Sequence, residues 1–492
     1  MGFFFGISGH GVYGHILTYL ELAVAILLAS HILLKKQDPN VCLGWLLATA
    51  LSPLVAGIFY LGIGINPFEK YTRKKIRSRA ETRASDASRR STEFLEENTS
   101  KMNSLGFKNF YGTLNWISQF RGEAIESDNS LELLINSDVV YRRLEDSILG
   151  AKKYILVQFY QIQADPVGLG FLDLLKQQAQ RGIDVYVLYD ALGSISLKDT
   201  MVQGYRKSGV KINHFLEISP IKRRFQVNWR NHRKLVVIDG EEAFVGGFNI
   251  GQTYLQGPNL DDPRWIDLIY RIKGSAIADL LSHFYEDWHF TTGVSLRETL
   301  FASSSKVPNS TSLVSVLPSG PSDSSSPFHT TLLNILFEAK SYVWIMTPYF
   351  VPDRSLLNAM RIAVGRGVHV RIIVPLRSNH PLTDICASSY FSEIYAYGID
   401  LIRLKNGVCH GKIVLADDDV ILSGSSNMDY RSFFLNFETD LFIRDKTLGA
   451  KLLDFLTELS LKSTPLSLKD ISSHPPSRLI LRRVMRLIAP LM

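Results

Sequence analysis

The sequence predicts an α/β fold built twice from one unit and preceded by an N-terminal transmembrane helical hairpin. Three observations predict it. Strand and helix signals recur in the same order in two halves of the chain, the polar spacing of Asn231 to Asn249 recurs in Cys409 to Asn427, and two long apolar stretches open the chain. A chain of 492 residues has room for two or three domains. The expected organisation is a hairpin over 1–68, a juxtamembrane arm over 69–125, a first repeat over 126–300, a second over 301–470 and a basic amphipathic tail over 471–492.

Ile16 to Leu34 is nearly all apolar, with Glu21 and His31 towards its ends. Val41 to Ile65 is a second apolar stretch, interrupted by Ser52, Pro53 and scattered Gly and Thr. A bilayer core needs about 20 helical residues, so both are long enough to span. A cleavable signal is not expected, because no basic segment precedes the first stretch and a second follows at once. Lys70, Arg73, Lys74, Lys75, Arg77 and Arg79 come next, which puts the rest of the chain in the cytoplasm. Lys35 and Lys36 in the connection oppose this orientation and are expected to snorkel.

The remainder reads as a duplication. Tyr154 to Tyr160 resembles Tyr342 to Tyr349, each after an Ala-Lys pair, and Arg181 to Tyr189 matches Arg366 to Val374. Gly209-Val210 precedes the first motif as Gly398-Ile399 precedes the second. This order favours α/β units with mixed or mostly parallel sheets, covered by helices. The first copy is longer by Ser219 to Arg230, an insert carrying Lys222, Arg223, Arg224 and Arg230 that suits a basic lip or a solvated face. Leu313 to Leu317 suits a strand, and the boundary between repeats is expected near Leu300. Leu479 to Met492 is basic and amphipathic, fit either to lie on a membrane interface or to pack back on the core.

The two motifs carry His232, Lys234, Asp239, Gly246, Gly247 and Asn249, and His410, Lys412, Asp417, Gly424, Ser425 and Asn427. Leu235 to Ile238 and Ile413 to Ala416 read as buried strands before an acidic turn. Strand alternation puts each histidine and its lysine on one face. The small pairs allow close backbone approach by a ligand or a second strand. Two such histidines can divide labour, one attacking and the other exchanging a proton with the leaving and entering oxygens. Two lysines, with Asn249 and Asn427, can hold the oxygens of a phosphoryl group. His-x-Lys is poor spacing for a closed metal site, so no metal and no cofactor are expected. Asp239 and Asp417 either orient a histidine or satisfy backbone at the turn. The net charge of +7 suits nucleic acid, phospholipid or a membrane surface without choosing among them. Cys42, Cys386 and Cys409 form no disulfide framework.

The paired His-x-Lys-x4-Asp pattern, each copy followed by Gly-Gly or Gly-Ser and then Asn, resembles the phospholipase D superfamily. Within it, the runs Gly424 to Glu438, Asn231 to Gly251 and Thr347 to Asp353, with the apolar N-terminus and the terminal Leu-Ile-Ala-Pro-Leu, resemble the bacterial cardiolipin synthases. The departure is Cys409-His410-Gly411-Lys412, where that group has a larger apolar residue before His and Ala or Ser after it. The resemblance implies two α/β/α sandwich repeats packed about a pseudo-twofold axis, with both motifs meeting in one site. It implies transfer between two phosphatidylglycerols, giving cardiolipin and glycerol through a phosphohistidine, in a bacterial inner membrane. Its catalytic set falls on His232, Lys234, Asp239, His410, Lys412 and Asp417, with Asn249 and Asn427 on the phosphate and Gly247, Ser425 and Glu438 in support. His232 takes the nucleophile's role and His410 the acid and base. Partners are phosphatidylglycerol, anionic lipid and the membrane, with no nucleic acid. A hydrolytic phospholipase, a superfamily nuclease and a non-catalytic membrane scaffold remain compatible with the residues.

Overall fold

Alternation of apolar residues into strands, and their order, builds one long mixed sheet. The computed structural model describes residues 12–34, 39–61, 109–120, 125–216, 229–256, 265–296, 307, 310, 312–321, 323, 325–472, 475–487 and 489. The chain divides into two compact units, one of residues 1–73 with 219–227 and one of the rest.

In the first unit, α1 is Val12–Leu34, α2 is Pro39–Leu51 and α3 is Pro53–Phe59. Leu28, Ile32 and Tyr60 form its small core, with Val24, Trp45 and Leu46 against them. His31 Nδ1 lies 3.0 Å from the Tyr60 hydroxyl. The second apolar stretch is not one helix. Ser52 is extended, at φ −156°, and Pro53, which cannot donate into the preceding turn, starts α3. The 13 residues of α2 then reach about 20 Å, short of the roughly 30 Å bilayer core. Among the described residues no helix is long and apolar enough to cross a membrane, and the expected two-span hairpin is corrected accordingly. The basic run Lys70 to Arg79 lies outside the described residues.

In the second unit the strands are β1 (Glu126–Ile135), β2 (Tyr154–Phe159), β3 (Asp184–Asp190), β4 (Lys211–Phe215), β5 (Leu235–Ile238), β6 (Glu242–Gly246), β7 (Leu268–Gly274) and β8 (Ser312–Ser319). They continue with β9 (Tyr342–Met346), β10 (Phe350–Val351), β11 (His369–Pro375), β12 (Asp400–Leu404), β13 (Ile413–Ala416), β14 (Val420–Gly424), β15 (Met428–Asp429), β16 (Glu438–Arg444) and β17 (Ser463–Pro465). The sheet runs β17-β12-β11-β9-β13-β14-β16-β8-β1-β7-β6-β5-β2-β3-β4. Read outward from the β8–β1 junction, the two halves repeat one order, with β17 added at one edge. In each half three strands are parallel (β2, β3, β4 and β9, β11, β12) and the motif strand pairs antiparallel to the first of them. The sheet is therefore mixed, and it is continuous across both repeats.

Register explains the glycines. A Cβ on Gly246 would lie 2.4 Å from the Leu268 carbonyl oxygen, and one on Gly424 2.5 Å from that of Thr439. The close approach is by a neighbouring strand. The end of the expected arm is also reassigned. Phe110, Leu114 and Ile117 are buried in the second repeat's core, and Arg444 donates to the Asn109 carbonyl at 2.7 Å. The expected boundary near Leu300 lies outside the described residues.

Arg233, between the motif His and Lys, points to the opposite face and ties the halves together. It donates to Asp287 at 2.6 Å and, across the junction, to the carbonyls of Glu438 at 3.1 Å and Ser319 at 3.2 Å. Its counterpart Gly411 has no such room, since a Cβ there would meet Met346 Cε at 2.4 Å. Arg233→Ala takes a charged partner from the fully buried Asp287, which keeps the Gln158 amide at 2.6 Å, at a cost of about 3–5 kcal/mol. Urea unfolding checks this. A change within about 0.5 kcal/mol would show that Arg233 does not hold the junction.

Candidate active site

The motif strands β5 and β13 bring their histidines in at the carboxyl ends of β2 and β9, and each histidine is anchored by the other repeat. The His232 backbone N–H donates to Phe437 O at 2.8 Å, and that of His410 to Ile266 O at 2.7 Å. The side chains follow. His232 Nδ1 lies 3.0 Å from Glu438 Oε2 and 3.1 Å from Ser425 O. His410 Nδ1 lies 2.6 Å from Asp267 Oδ2. The groups facing His232 Nδ1 only accept, so that nitrogen carries the proton and Nε2 keeps its lone pair. The His410–Asp267 pair has the same form.

Sequence reasoning found Glu438 and missed Asp267. Both stand at the same place in the repeat, at the entry of the last strand after an apolar residue, as Ile266-Asp267 and Phe437-Glu438. A longer connection after Asn249 hides the match, and 257–264 within it lie outside the described residues. The supporting positions differ to suit the two acids. Ser425 Oγ donates to Glu438 Oε2 at 2.6 Å. At Gly247 a Cβ would meet Asp267 Oδ1 at 2.6 Å and Lys412 Cδ at 3.1 Å, so only glycine leaves room for both.

The lysines turn back over their own motifs. Lys234 Nζ donates to His232 O at 2.6 Å, and Lys412 Nζ to His410 O at 2.5 Å. Lys412 Nζ also lies 3.2 Å from His410 Nδ1 and 3.3 Å from Nε2. Burial is the largest influence on both ammonium groups, lowering Lys234 to about 7 and Lys412 to about 8 against the pull of Glu438 and Asp267. The two lysines also repel each other's charge at Lys234, and each acts on the opposite histidine, so the motifs share one electrostatic site. Burial, then Lys412, depresses His410 to about 3 despite Asp267. His232 is depressed chiefly by burial, against Glu438. Burial also pushes Glu438 and Asp267 up, but their cationic and hydrogen-bonding neighbours win and hold both ionised.

Aromatic rings frame the histidines. Tyr160 stands 4.9 Å from His232 and Trp265 4.8 Å from His410, centroid to centroid. His232 keeps 13% of its side chain exposed, against 6% for His410. The asparagines are unequal. Asn249 accepts from Gln161 N at 3.2 Å and donates to Tyr254 at 2.7 Å. Asn427 Oδ1 is buried with no hydrogen-bond partner among the described residues.

Asp239 and Asp417 are not brought to the histidines. Each sits in the turn at the far end of its motif strand with positive φ, 55° and 44°. Asp239 accepts the backbone N–H groups of Lys152, Lys153 and Tyr154 at 2.7–2.9 Å. Asp417 does the same for Lys340, Ser341 and Tyr342 at 2.7–3.1 Å. Four intervening residues, five steps along a strand, carry the acid about 16 Å from the motif lysine, so these aspartates clamp the next strand's start. Within the basic insert, 219–228 lie outside the described residues. Arg230 at its end is buried and donates to Trp229 O at 2.9 Å.

Comparison with known proteins places the chain in a family. The family described as "Cardiolipin synthase, PLD-like domain" matches residues 144–288 and 332–459. Cardiolipin synthase A of Pseudomonas putida is 31% identical over 481 residues, covering 98% of each chain. The same enzyme from another strain of that species is 32% identical over 485 residues, again covering 98% of each. That of Pseudomonas fluorescens is 31% identical over 481 residues, covering 97% of this chain and 99% of its own. The crystal structure of a phosphatidylserine synthase from Haemophilus influenzae shares the fold, with TM-score 0.58 and 19% identity over 74% of this chain and 95% of that one.

Two lysines near 7 and 8 make anion binding proton-linked. An anion between them favours the ammonium forms and raises both values, so at pH 8 binding takes up protons. Sulfate does not titrate there and is the probe. Titration calorimetry in two buffers of different ionisation enthalpy is expected to show net uptake at pH 8, and affinity falling from pH 7 to pH 9. Absence of uptake would contradict the shared lysine site.

Proposed function

The chain belongs to the family of cardiolipin synthases with phospholipase D-like domains, and from that premise we propose that it is a phosphatidyltransferase converting two phosphatidylglycerols to cardiolipin and glycerol. The observation that carries the reading is the pair of imidazoles, each fixed at Nδ1 by a carboxylate of the opposite repeat, with a lysine beside each. Full-length likeness to enzymes named as synthases favours transfer to a lipid over hydrolysis.

His232 is the nucleophile in this reading. Its ring is the more exposed of the two. Nε2 attacks phosphorus, the N–P bond forms, and the P–O bond to the headgroup glycerol breaks. His410 gives that oxygen a proton, and glycerol leaves. The entering phosphate's charge favours the imidazolium of His410, which takes its Nε2 proton from solvent or keeps the one left by the preceding transfer, while Lys412, 3.3 Å away, stays an ammonium. In the second step His410 takes the proton of an incoming glycerol hydroxyl. Its oxygen bonds to phosphorus, the N–P bond breaks, and His232 is restored. Lys234, Lys412 and Asn427 stabilise the phosphoryl oxygens as their charge grows. Asn249 acts one step removed, by orienting Tyr254.

Membrane association fits the first unit. Leu20, Ile26 and Leu33 of α1 and Leu47, Ile58 and Phe59 of α2 and α3 are exposed, an apolar surface suited to lipid. The basic run after residue 69 favours the cytoplasmic side of a bacterial inner membrane.

The covalent step separates the two histidines. In His410→Ala, a labelled phosphatidyl ester whose leaving group needs no proton is expected to leave an adduct on His232, seen by mass spectrometry after rapid quench. In His232→Ala no adduct is expected. An adduct on His410 in that variant would reverse the roles. No adduct in wild type despite turnover would replace the covalent path with direct displacement.

A further inference from the structure

The two halves repeat in sheet order but not in the space past the carboxyl ends of β2 and β9. In the first repeat the ground past Tyr160 is filled. A Cβ on Gly193 would lie 2.3 Å from Tyr160 O, and Ser194 Oγ bridges Tyr160 O at 3.2 Å and Ile162 N at 2.9 Å. In the second repeat the equivalent ground past Pro348-Tyr349-Phe350 is open. A cavity of about 370 Å³ lies there, at the carboxyl ends of β9, β11 and β12, the same edge that carries the histidines. Open α/β sheets bind ligands at this edge, and the volume is in the range of a small-ligand site. Tyr349 lines the cavity and stands directly before β10, which pairs with β15 immediately after Asn427, so it lies between the two places; its hydroxyl donates to Asn379 Oδ1 at 2.7 Å.

The cavity's charges come from separate elements. Arg377 follows β11, Arg403 lies on β12, and Arg482 comes from the C-terminal helix Pro476–Leu487. Two carboxylates face them. Asp470 is paired with Arg403 at 2.8 Å, and Asp384 accepts the Ser378 backbone N–H at 3.0 Å. Arg377 is exposed and joins no ion pair among the described residues, which leaves an excess of positive charge at the rim. Phe350, Ile385 and Leu481 give the cavity an apolar side. The wall helix is docked by Cys386 Sγ to Met485 O at 3.5 Å and by the Arg486–Glu393 ion pair. It leaves Leu479, Ile480, Val484 and Leu487 exposed beside the opening.

We propose that this cavity receives the phosphoglycerol headgroup of the acceptor phospholipid, with Arg377 and Arg482 holding its phosphate and Tyr349 steering its free hydroxyl towards the phosphohistidine. The inference rests on the phosphatidyl-transfer reading above and gives the acceptor its own site. An acceptor lipid differs from water or a simple alcohol in carrying a phosphodiester three carbons from the attacking hydroxyl. A duplicated fold that serves two substrates in different roles needs such an asymmetry. The exposed apolar face of the wall helix suits the acceptor's acyl region.

The test is competition between acceptors. Full-length enzyme in phosphatidylglycerol micelles containing ethanol yields cardiolipin and phosphatidylethanol from one donor pool. Arg377→Gln and Arg482→Gln are each expected to lower the cardiolipin to phosphatidylethanol ratio by about tenfold or more, the loss of one charge-assisted phosphate contact. Arg377→Lys recovers part of it. Arg377 is exposed, so its variant retains the fold even where that of Arg482 does not. A ratio equal to wild type in Arg377→Gln, whether both products fall together or neither does, overturns the acceptor site. Phosphatidylethanol without cardiolipin from the wild-type enzyme instead overturns the synthase reading on which the inference rests.

Discussion

The hydrogen bond between each histidine and a carboxylate of the other repeat is the constraint on which the rest depends. A buried imidazole held at Nδ1 by an ionised acid has one tautomer and one direction for Nε2. Because donor and acceptor come from opposite halves, neither half makes a competent histidine alone. The continuous sheet through β8 and β1, the buried Arg233 and the backbone bonds from His232 to Phe437 and from His410 to Ile266 all fix that crossing. Small positions follow from it, with glycine beside the shorter acid and serine beside the longer.

Placing two lysines, two histidines and two carboxylates in one buried centre costs solvation, and the site offsets that cost by hydrogen bonding. Glu438 accepts from Ser425, Ser432 and Asn436 as well as facing His232. The lysines lean on backbone carbonyls, and burial loosens their hold on the proton until an anion arrives. Such a centre is poorly satisfied when empty and better satisfied around a phosphoryl group. That is electrostatic preorganisation, with the charged form completed by the substrate.

The sequence made the repeat order, the motif strands and the His-Lys faces legible, because alternation and spacing encode them directly. For Asp239 and Asp417 the sequence left two roles open, orienting a histidine or satisfying backbone at the turn, and the structure selects the turn. Asp267 needed the two last strands to be superposed on one another. The helix break at Ser52-Pro53 was present in the residues, but apolar content outweighed it in the reading. Phe110, Leu114 and Ile117 have helical spacing, yet their destination in the distant second repeat is a long-range contact that no local pattern reports.

The most direct test of the crossed arrangement compares Glu438→Gln with Asp267→Asn, scoring adduct formation on His232 with a donor whose leaving group needs no proton. The account predicts that Glu438→Gln, a change in the second repeat, slows adduct formation on the first repeat's histidine by about a hundredfold or more, while Asp267→Asn spares that step and blocks turnover with phosphatidylglycerol. Loss of the adduct in Asp267→Asn together with its retention in Glu438→Gln would contradict it.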